Sequence, residues 1–451
     1  SNSQLFSVDA TCRSGVTVDS DRKRNVVLPK TRITVILLFA AWTVDYIDRL
    51  VINVALPLIR QDLALSHSQA GLIVSSFFLA YAIAQIPGGM LADRYGAFRI
   101  AVVGLIAWSV FTGLTAVAFS FASLIVIRVL FGFAQGVFPG AALKMLAERS
   151  VPEQRMTATG WVNSSNAFGG ILAAVIAAIA IPLVGWRGMF LVIAVLGLFV
   201  LGAFGKWMPQ PLVHTQQSGR RDAGQRRRAL LLLRTPVMWL YVAVFFGYDV
   251  LVWGAQAWGA SYLQEQFGLS PSASALLAIF PGISAVVVII LSGLIADRIG
   301  GRPKILIIPA MAFAAVYALV FPHLTSVPMI VVAMTLGLGI ASFAYIGAFA
   351  LPLKYLAPTV TGLGSGMILF GGMVAGVIAP AVLGVLIEAS GWTVALSALA
   401  VGPVIAIVAA LFLPRSGAEF KARLAPELVA DHTQQLPIGL PDLTTPKEAR
   451  S

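Results

Sequence analysis

The sequence predicts an all-α polytopic membrane protein with twelve transmembrane helices in two pseudo-symmetric six-helix bundles. Three observations carry that prediction. Of 451 residues, 58% are hydrophobic and only 11% are charged, against about 25% charged in an ordinary soluble domain. The apolar residues gather in runs of about 20, each long enough to cross a bilayer as a helix. A short motif of glycines and charges also occurs twice at a fixed offset, the mark of an internal repeat.

The chain opens with a polar, basic N-terminal tail, residues 1–32, which lacks a signal-peptide pattern. Its start at Ser1 rather than Met reads as trimming. Apolar runs at 33–58, 70–92, 99–118, 121–146, 157–184 and 187–206 make a first six-helix bundle, 33–206. A linker, 207–235, rich in Gln, Arg and Pro, separates it from a second bundle, 236–413. That bundle holds runs at 236–263, 273–296, 304–322, 327–351, 362–387 and 391–413. The tail, 414–451, contains Pro426, Pro437, Pro441 and Pro446 and is expected to be largely disordered.

A formal net charge of +12 would suit a nucleic-acid binder, but its distribution excludes that class. With the N-terminus in the cytoplasm, four of the 31 Lys and Arg residues escape the tails, the inner loops and the inner helix ends. These are Arg49 and Arg128, within spans, and Arg60 and Arg187, on the outer side. This is the positive-inside pattern, and it predicts both termini in the cytoplasm of a bacterial-type inner membrane. The Arg226–Arg228 cluster of the linker suits anionic lipid headgroups. Cys12 is the single cysteine, and His67, His214, His323 and His432 are scattered, so neither a disulfide nor a metal site is expected. Ser365 lies in a glycine-rich span without a His or acid nearby, which argues against a membrane hydrolase. Its glycines fit close helix packing. The chain is therefore not expected to be an enzyme or to hold a cofactor.

The first span carries the strongest functional signal. Trp42–Leu58 holds Asp45, Asp48 and Arg49 inside an apolar run, and a charge at the centre of a membrane helix costs roughly 2.5–3.5 kcal/mol. Asp45, Arg49 and Asn53 share one helical stripe, with Asp48 beside it. The span reads as one wall of a polar site. Arg128 in the fourth span is the second intramembrane cation; counting from the span ends puts it at a depth similar to that of Arg49, roughly 10–12 Å below the outer end. A guanidinium offers a charged, planar donor fork matched to a carboxylate. Permanent pairing with Asp45 or Asp48 is the competing, purely structural role.

The repeat runs Gly89-Met-Leu-Ala-Asp93-Arg94-Tyr-Gly96 and Gly293-Leu-Ile-Ala-Asp297-Arg298-Ile-Gly300, an offset of 204 residues. The same offset carries Asp45 onto Asp249, so two mid-span acids stand at pseudo-equivalent places. This motif, in a six-plus-six chain, resembles the major facilitator superfamily over about residues 33–413. The resemblance implies cytoplasmic gating roles for Asp93, Arg94, Arg99, Asp297, Arg298 and Arg302, and a chain that works as a monomer. Tyr46-Ile-Asp48-Arg49, followed by Val54-Ala55-Leu56-Pro57, resembles the superfamily's anion:cation symporter branch. That branch moves sugar acids, aromatic acids and other organic anions, commonly with protons.

Arg128-Val-Leu-Phe-Gly132-Phe-Ala-Gln135 resembles the branch's fourth span. Its sugar-acid transporters often place a glutamate seven residues after the Arg, where this chain has Gln135, which cannot titrate. By resemblance, Asn166 occupies a substrate-contacting position in the fifth span. Tyr46, Tyr81, Trp253, Gln256 and Tyr345 stand at mid-depth as further candidate contacts. Protons are the expected coupling ion, carried by Asp48 first, with Asp249 and Asp45 as further candidates. Three intramembrane acids against two arginines make a net charge of −1, so a bound monoanion favours an accompanying proton. The function expected is import of a small carboxylate with protons by alternating access. An exporter or uniporter is the rival, and a receptor a more distant one.

Overall fold

The computed structural model describes residues 19–150, 155–212, 223–299 and 302–429. Cys12, His214, His432, Gly300 and the side chain of Asp297 lie outside that description. Regular structure in the described residues is helical, with a single isolated antiparallel bridge between Leu356 and Val429. The helices start where local chemistry caps them. Ser66 and Ser120 each accept from the backbone N–H three residues on, closing capping boxes with Gln69 and Ser123. Proline opens others, at Pro271 and Pro303, where its missing N–H costs nothing.

Among the described residues, nine segments are long and apolar enough to cross a membrane. Two of these, Ala158–Trp207 and Thr359–Phe412, contain 50 and 54 residues, each enough for two crossings at about 20 residues apiece. Each leaves helical geometry at one glycine, Gly185 (φ 69°) and Gly391 (φ 80°). Both glycines precede a buried tryptophan, Trp186 or Trp392. This Gly-Trp pair is a second echo between the halves. It escaped the sequence analysis because it lies two residues off the 204-residue offset.

Contacts divide the chain into two compact units. The first comprises the described residues of Ser1–Ser218 with Gln256–Gly282. It contains α1 (Asp19–Asp62), α2 (His67–Tyr95), α3 (Ala97–Ala116), α4 (Phe121–Gly136), α5 (Phe138–Arg149) and α6 (Arg155–Trp207). Here α1 packs along α6, and α2 along α4. The approach of α4 to α2 depends on glycine: a Cβ at Gly132 or Gly136 would stand 2.6 Å from the carbonyl oxygen of Phe77 or Tyr81. At the far end of α1, Arg60 pairs with Glu265 and Arg187 with Asp62. The two arginines that broke the positive-inside pattern are thus each matched by an acid.

The second unit comprises the described residues of Gly219–Ala255 and Ile283–Ser451. It opens with α7 (Ala223–Leu233), a helix inside the linker, and continues into α8 (Pro236–Phe267), whose far end belongs to the first unit, as does α9 (Pro271–Leu277). There follow α10 (Ile279–Arg298), α11 (Pro303–Val320), α12 (Val327–Ala341), α13 (Phe343–Tyr345), a π-helical turn at Ile346–Ala350 and α14 (Leu351–Tyr355). After these come α15 (Pro358–Ala398), α16 (Val401–Phe412) and α17 (Gly417–Ala422). The last helix corrects the expectation of a largely disordered tail over its described part. Phe420 is buried against the rings of Tyr241 and Tyr355, at 5.5 and 6.1 Å between centroids. Leu424 and Leu428 are buried as well, and the Ala357 N–H donates to the Leu428 carbonyl at 2.8 Å, so apolar burial docks the described part of the tail.

Candidate functional site

The first unit gathers the intramembrane charges of α1 and α4 into a buried cluster. Asp45, Asp48, Arg49 and Arg128 are all at most 5% exposed. The helical period places Asp45 one turn before Arg49, and Arg49 Nη2 donates to Asp45 Oδ2 at 3.0 Å. Asp48 turns the other way, accepting from Thr112 of α3 at 3.0 Å. It also faces the charge of Arg128 on α4. Arg128 in turn donates to Thr115 at 3.3 Å. The sequence analysis left Asp45 and Asp48 both open as partners of the arginines; the structure pairs Asp45 with Arg49 and turns Asp48 toward Arg128. Thr112 and Thr115 were missed, because a threonine in an apolar span gives no signal until a neighbouring helix brings a charge to it.

Aromatic rings wall both cations. The Arg49 guanidinium lies 4.5 Å from the Tyr81 ring centroid, 4.7 Å from that of Tyr46 and 5.4 Å from that of Phe77. Arg128 lies over Phe131 and Phe190, at 5.0 and 5.4 Å. A desolvated cation over such faces gains about 2 kcal/mol. The α2–α4 glycine contact keeps Phe77 and Tyr81 at that range. Gln135 is fully buried and donates through Nε2 to the backbone carbonyl of Asp45 at 3.2 Å. The neutral amide therefore braces the helix turn that carries the Asp45–Arg49 pair.

Hydrogen-bonding capacity is left over within this cluster. Asp45 Oδ1, the Nε atoms of Arg49 and Arg128, Gln135 Oε1 and Asn166 Oδ1 are buried and make no hydrogen bond among the described residues. Buried polar atoms are ordinarily satisfied, so such a set can accept both the oxygens of an anion and a proton. Asn166 lies on α6, one turn before Gly169, where α6 meets Thr43 and Tyr46 of α1.

The second unit holds Asp249, buried at 7% exposure on α8. Trp253 turns toward its carboxyl group. Tyr248 and Ser342 form a hydroxyl pair at 3.4 Å, and Phe245, Tyr345 and Phe349 close an aromatic cluster with ring centroids 5.5–5.9 Å apart. Tyr345 is the last residue before the π-helical turn, a local irregularity often found at functional sites. Gln256, a candidate contact on the same helix, is exposed and falls in the first unit, whereas Asp249 and Trp253 fall in the second.

The first copy of the repeated motif is described throughout; in the second, the Asp297 side chain and Gly300 are not. Gly96 caps α2 at φ 93°, a backbone region that disfavours a side chain. Asp93 pairs with Lys144 of α5 at 2.8 Å, a partner the sequence analysis did not name. Arg94, Arg99, Arg298 and Arg302 are exposed. Among the described residues, no group of three His, Cys, Asp or Glu side chains could hold a metal ion.

A helical membrane fold with a charged cluster buried in an apolar span defines a polytopic transporter. Residues 36–380 match the family model of the Major Facilitator Superfamily, and the chain belongs to that family; it is a membrane transporter, not an enzyme. The chain is 32% identical over 276 residues to a hexuronate transporter of Bacillus subtilis (strain 168), covering 60% of this chain and 65% of that one. It is 31% identical to a probable sulfoacetate transporter of Cupriavidus necator, over 77% of this chain and 85% of the relative. A probable L-galactonate transporter of Escherichia coli (strain K12) is 29% identical over 64% and 68%. Among solved structures, a bacterial homologue of the human lysosomal transporter Spinster superposes with a TM-score of 0.74 at 19% identity, over 88% of this chain and 99% of that one. A D-xylose–proton symporter superposes at 0.72 and 14% identity, over 86% and 99%. At those identities the likeness concerns the fold alone.

Proposed function

We propose that the protein carries a small organic anion, a carboxylate, into the cell together with protons, by alternating access. One observation carries this reading: two buried arginines in one unit, each balanced by its own buried acid. The four groups sum to zero when ionised. A monoanion bound to Arg49 or Arg128 competes with the paired acid and leaves one uncompensated negative charge in a low-dielectric setting, which costs several kcal/mol. Uptake of one proton restores neutrality, so anion and proton bind as a couple.

The named relatives support the substrate class, since hexuronate, L-galactonate and sulfoacetate are all organic acid anions. In this reading Arg49 and Arg128 hold the carboxylate, with Tyr46, Tyr81, Gln135 and Asn166 around it. Trp253, Gln256 and Tyr345 supply contacts from elsewhere in the chain. Asp48 carries the coupling proton, with Asp249 and Asp45 as further titrating groups. Asp93, Arg94, Arg99, Asp297, Arg298 and Arg302 act in gating. Twelve crossings follow if α1 and the two kinked segments are counted as spans, with both termini cytoplasmic and the protein a monomer in an inner membrane.

The second reading is a uniporter or exporter. The non-titrating Gln135, buried beside Asp45, favours it. Proteoliposome uptake of a hexuronate under an inward proton gradient separates the two. Accumulation that collapses with a protonophore supports symport, and equilibration without accumulation supports uniport. Faster expulsion than entry points to export.

A further inference from the structure

The linker helix α7 carries a feature the transport reading does not use. Arg226, Arg227, Leu230, Leu231 and Arg234 line a cavity of about 340 Å³. Their spacing puts them on one face of α7 and its first following turn, while Leu232 is fully buried in the unit. Arg227 is tied to Glu427 at 3.1 Å, which fixes the helix to the segment after α17. Arg226 and Arg234 are exposed, so the cavity is cationic on balance. Leu230 and Leu233 are 47% and 39% exposed. The membrane-spanning α8 begins at Pro236, three residues after α7 ends. At that junction Trp239, 46% exposed, donates to the Leu233 carbonyl at 2.8 Å. A tryptophan of that kind characteristically sits at headgroup level.

We propose that this cavity binds the phosphodiester headgroup of an anionic phospholipid, with Arg226 and Arg234 on the phosphate and Leu230 and Leu231 against the glycerol and upper acyl chain. The juxtaposition of cations with the exposed Leu230 and the half-buried Leu231 separates a lipid from a free phosphate ion, which has no use for the apolar half. The inference rests on the membrane-spanning fold and not on the identity of the transported anion. It holds whether the carrier is a symporter or a uniporter.

The test is native mass spectrometry of the full-length protein in detergent, titrated with phosphatidylglycerol or phosphatidylcholine. The expected result is selective retention of phosphatidylglycerol. Arg226→Gln with Arg234→Gln lowers that retention on the order of tenfold, and the corresponding Lys pair keeps most of it. An unchanged melting temperature in the Gln variant excludes misfolding as the cause. Leu230→Ser weakens phosphatidylglycerol binding but not any protection by inorganic phosphate. Equal retention of the two lipids, or full retention by the Gln variant, overturns the proposal. Complete displacement of phosphatidylglycerol by millimolar inorganic phosphate, with Leu230→Ser neutral, overturns it in favour of a free-anion site.

Discussion

Arg49 and Arg128 are neutralised in different ways, and that difference sets what each substitution does. Arg49 has an acid on its own helix, so its charge is balanced by helical spacing alone. Arg128 relies on Asp48 and Thr115 from two other helices. Replacing either arginine with alanine removes a buried, charge-assisted contact with the carboxylate, worth about 2–5 kcal/mol, or roughly 30-fold or more in affinity. Titration of a hexuronate by thermal shift checks this; lysine restores only part of the loss because the fork is gone. Asp48→Asn mimics the protonated acid and keeps a hydrogen-bonding oxygen for Thr112. It is expected to preserve counterflow exchange of the anion while abolishing accumulation under a proton gradient. Accumulation equal to the parent's would pass the coupling role to Asp249 or Asp45.

Between elements, backbone proximity decides the site. Tyr81 reaches Arg49 because α2 lies directly on α4, and Gly136 permits that contact. Gly136→Leu places a side chain where the Tyr81 carbonyl and Ala84 now sit; overpacking of this kind costs about 1–3 kcal/mol or more. A lowered melting temperature together with weakened anion binding is expected, whereas a change at the exposed Val126 alters neither. The Asp93–Lys144 pair links the ends of α2 and α5. An exposed ion pair contributes less than about 1 kcal/mol to stability, so Asp93→Asn leaves the fold intact. Its expected effect is on transport rate rather than on site affinity, measured by initial uptake rates against equilibrium binding.

At the scale of the whole chain, the segment after the last span is part of the second unit. Phe420 anchors it, and Glu419 accepts from the Arg415 backbone N–H and pairs with Arg423. The Arg415 N–H, and then Arg423, hold the Glu419 carboxyl below the usual carboxylate range. A depressed folded value means the contribution is complete above the ordinary glutamate range and is lost as pH falls through the folded value. Limited proteolysis after α16 is therefore expected to accelerate on acidification, and Glu419→Gln to flatten that dependence.

The sequence by itself determined the membrane class, the long apolar helical segments, the repeat, and the identity of the four buried charges in α1 and α4. Apolar run length and the cost of an intramembrane charge are local properties, readable without a partner. Helical spacing likewise made Asp45 and Arg49 neighbours. Only the tertiary structure decided that Asp48 belongs with Thr112 and Arg128, that Lys144 meets Asp93, and that Gln135 braces the backbone of Asp45. Each of those contacts joins helices far apart in sequence. The choice among possible acid–base partners is set by which faces the helices bury against one another, and a periodic pattern identifies the apolar face without naming the helix that will cover it.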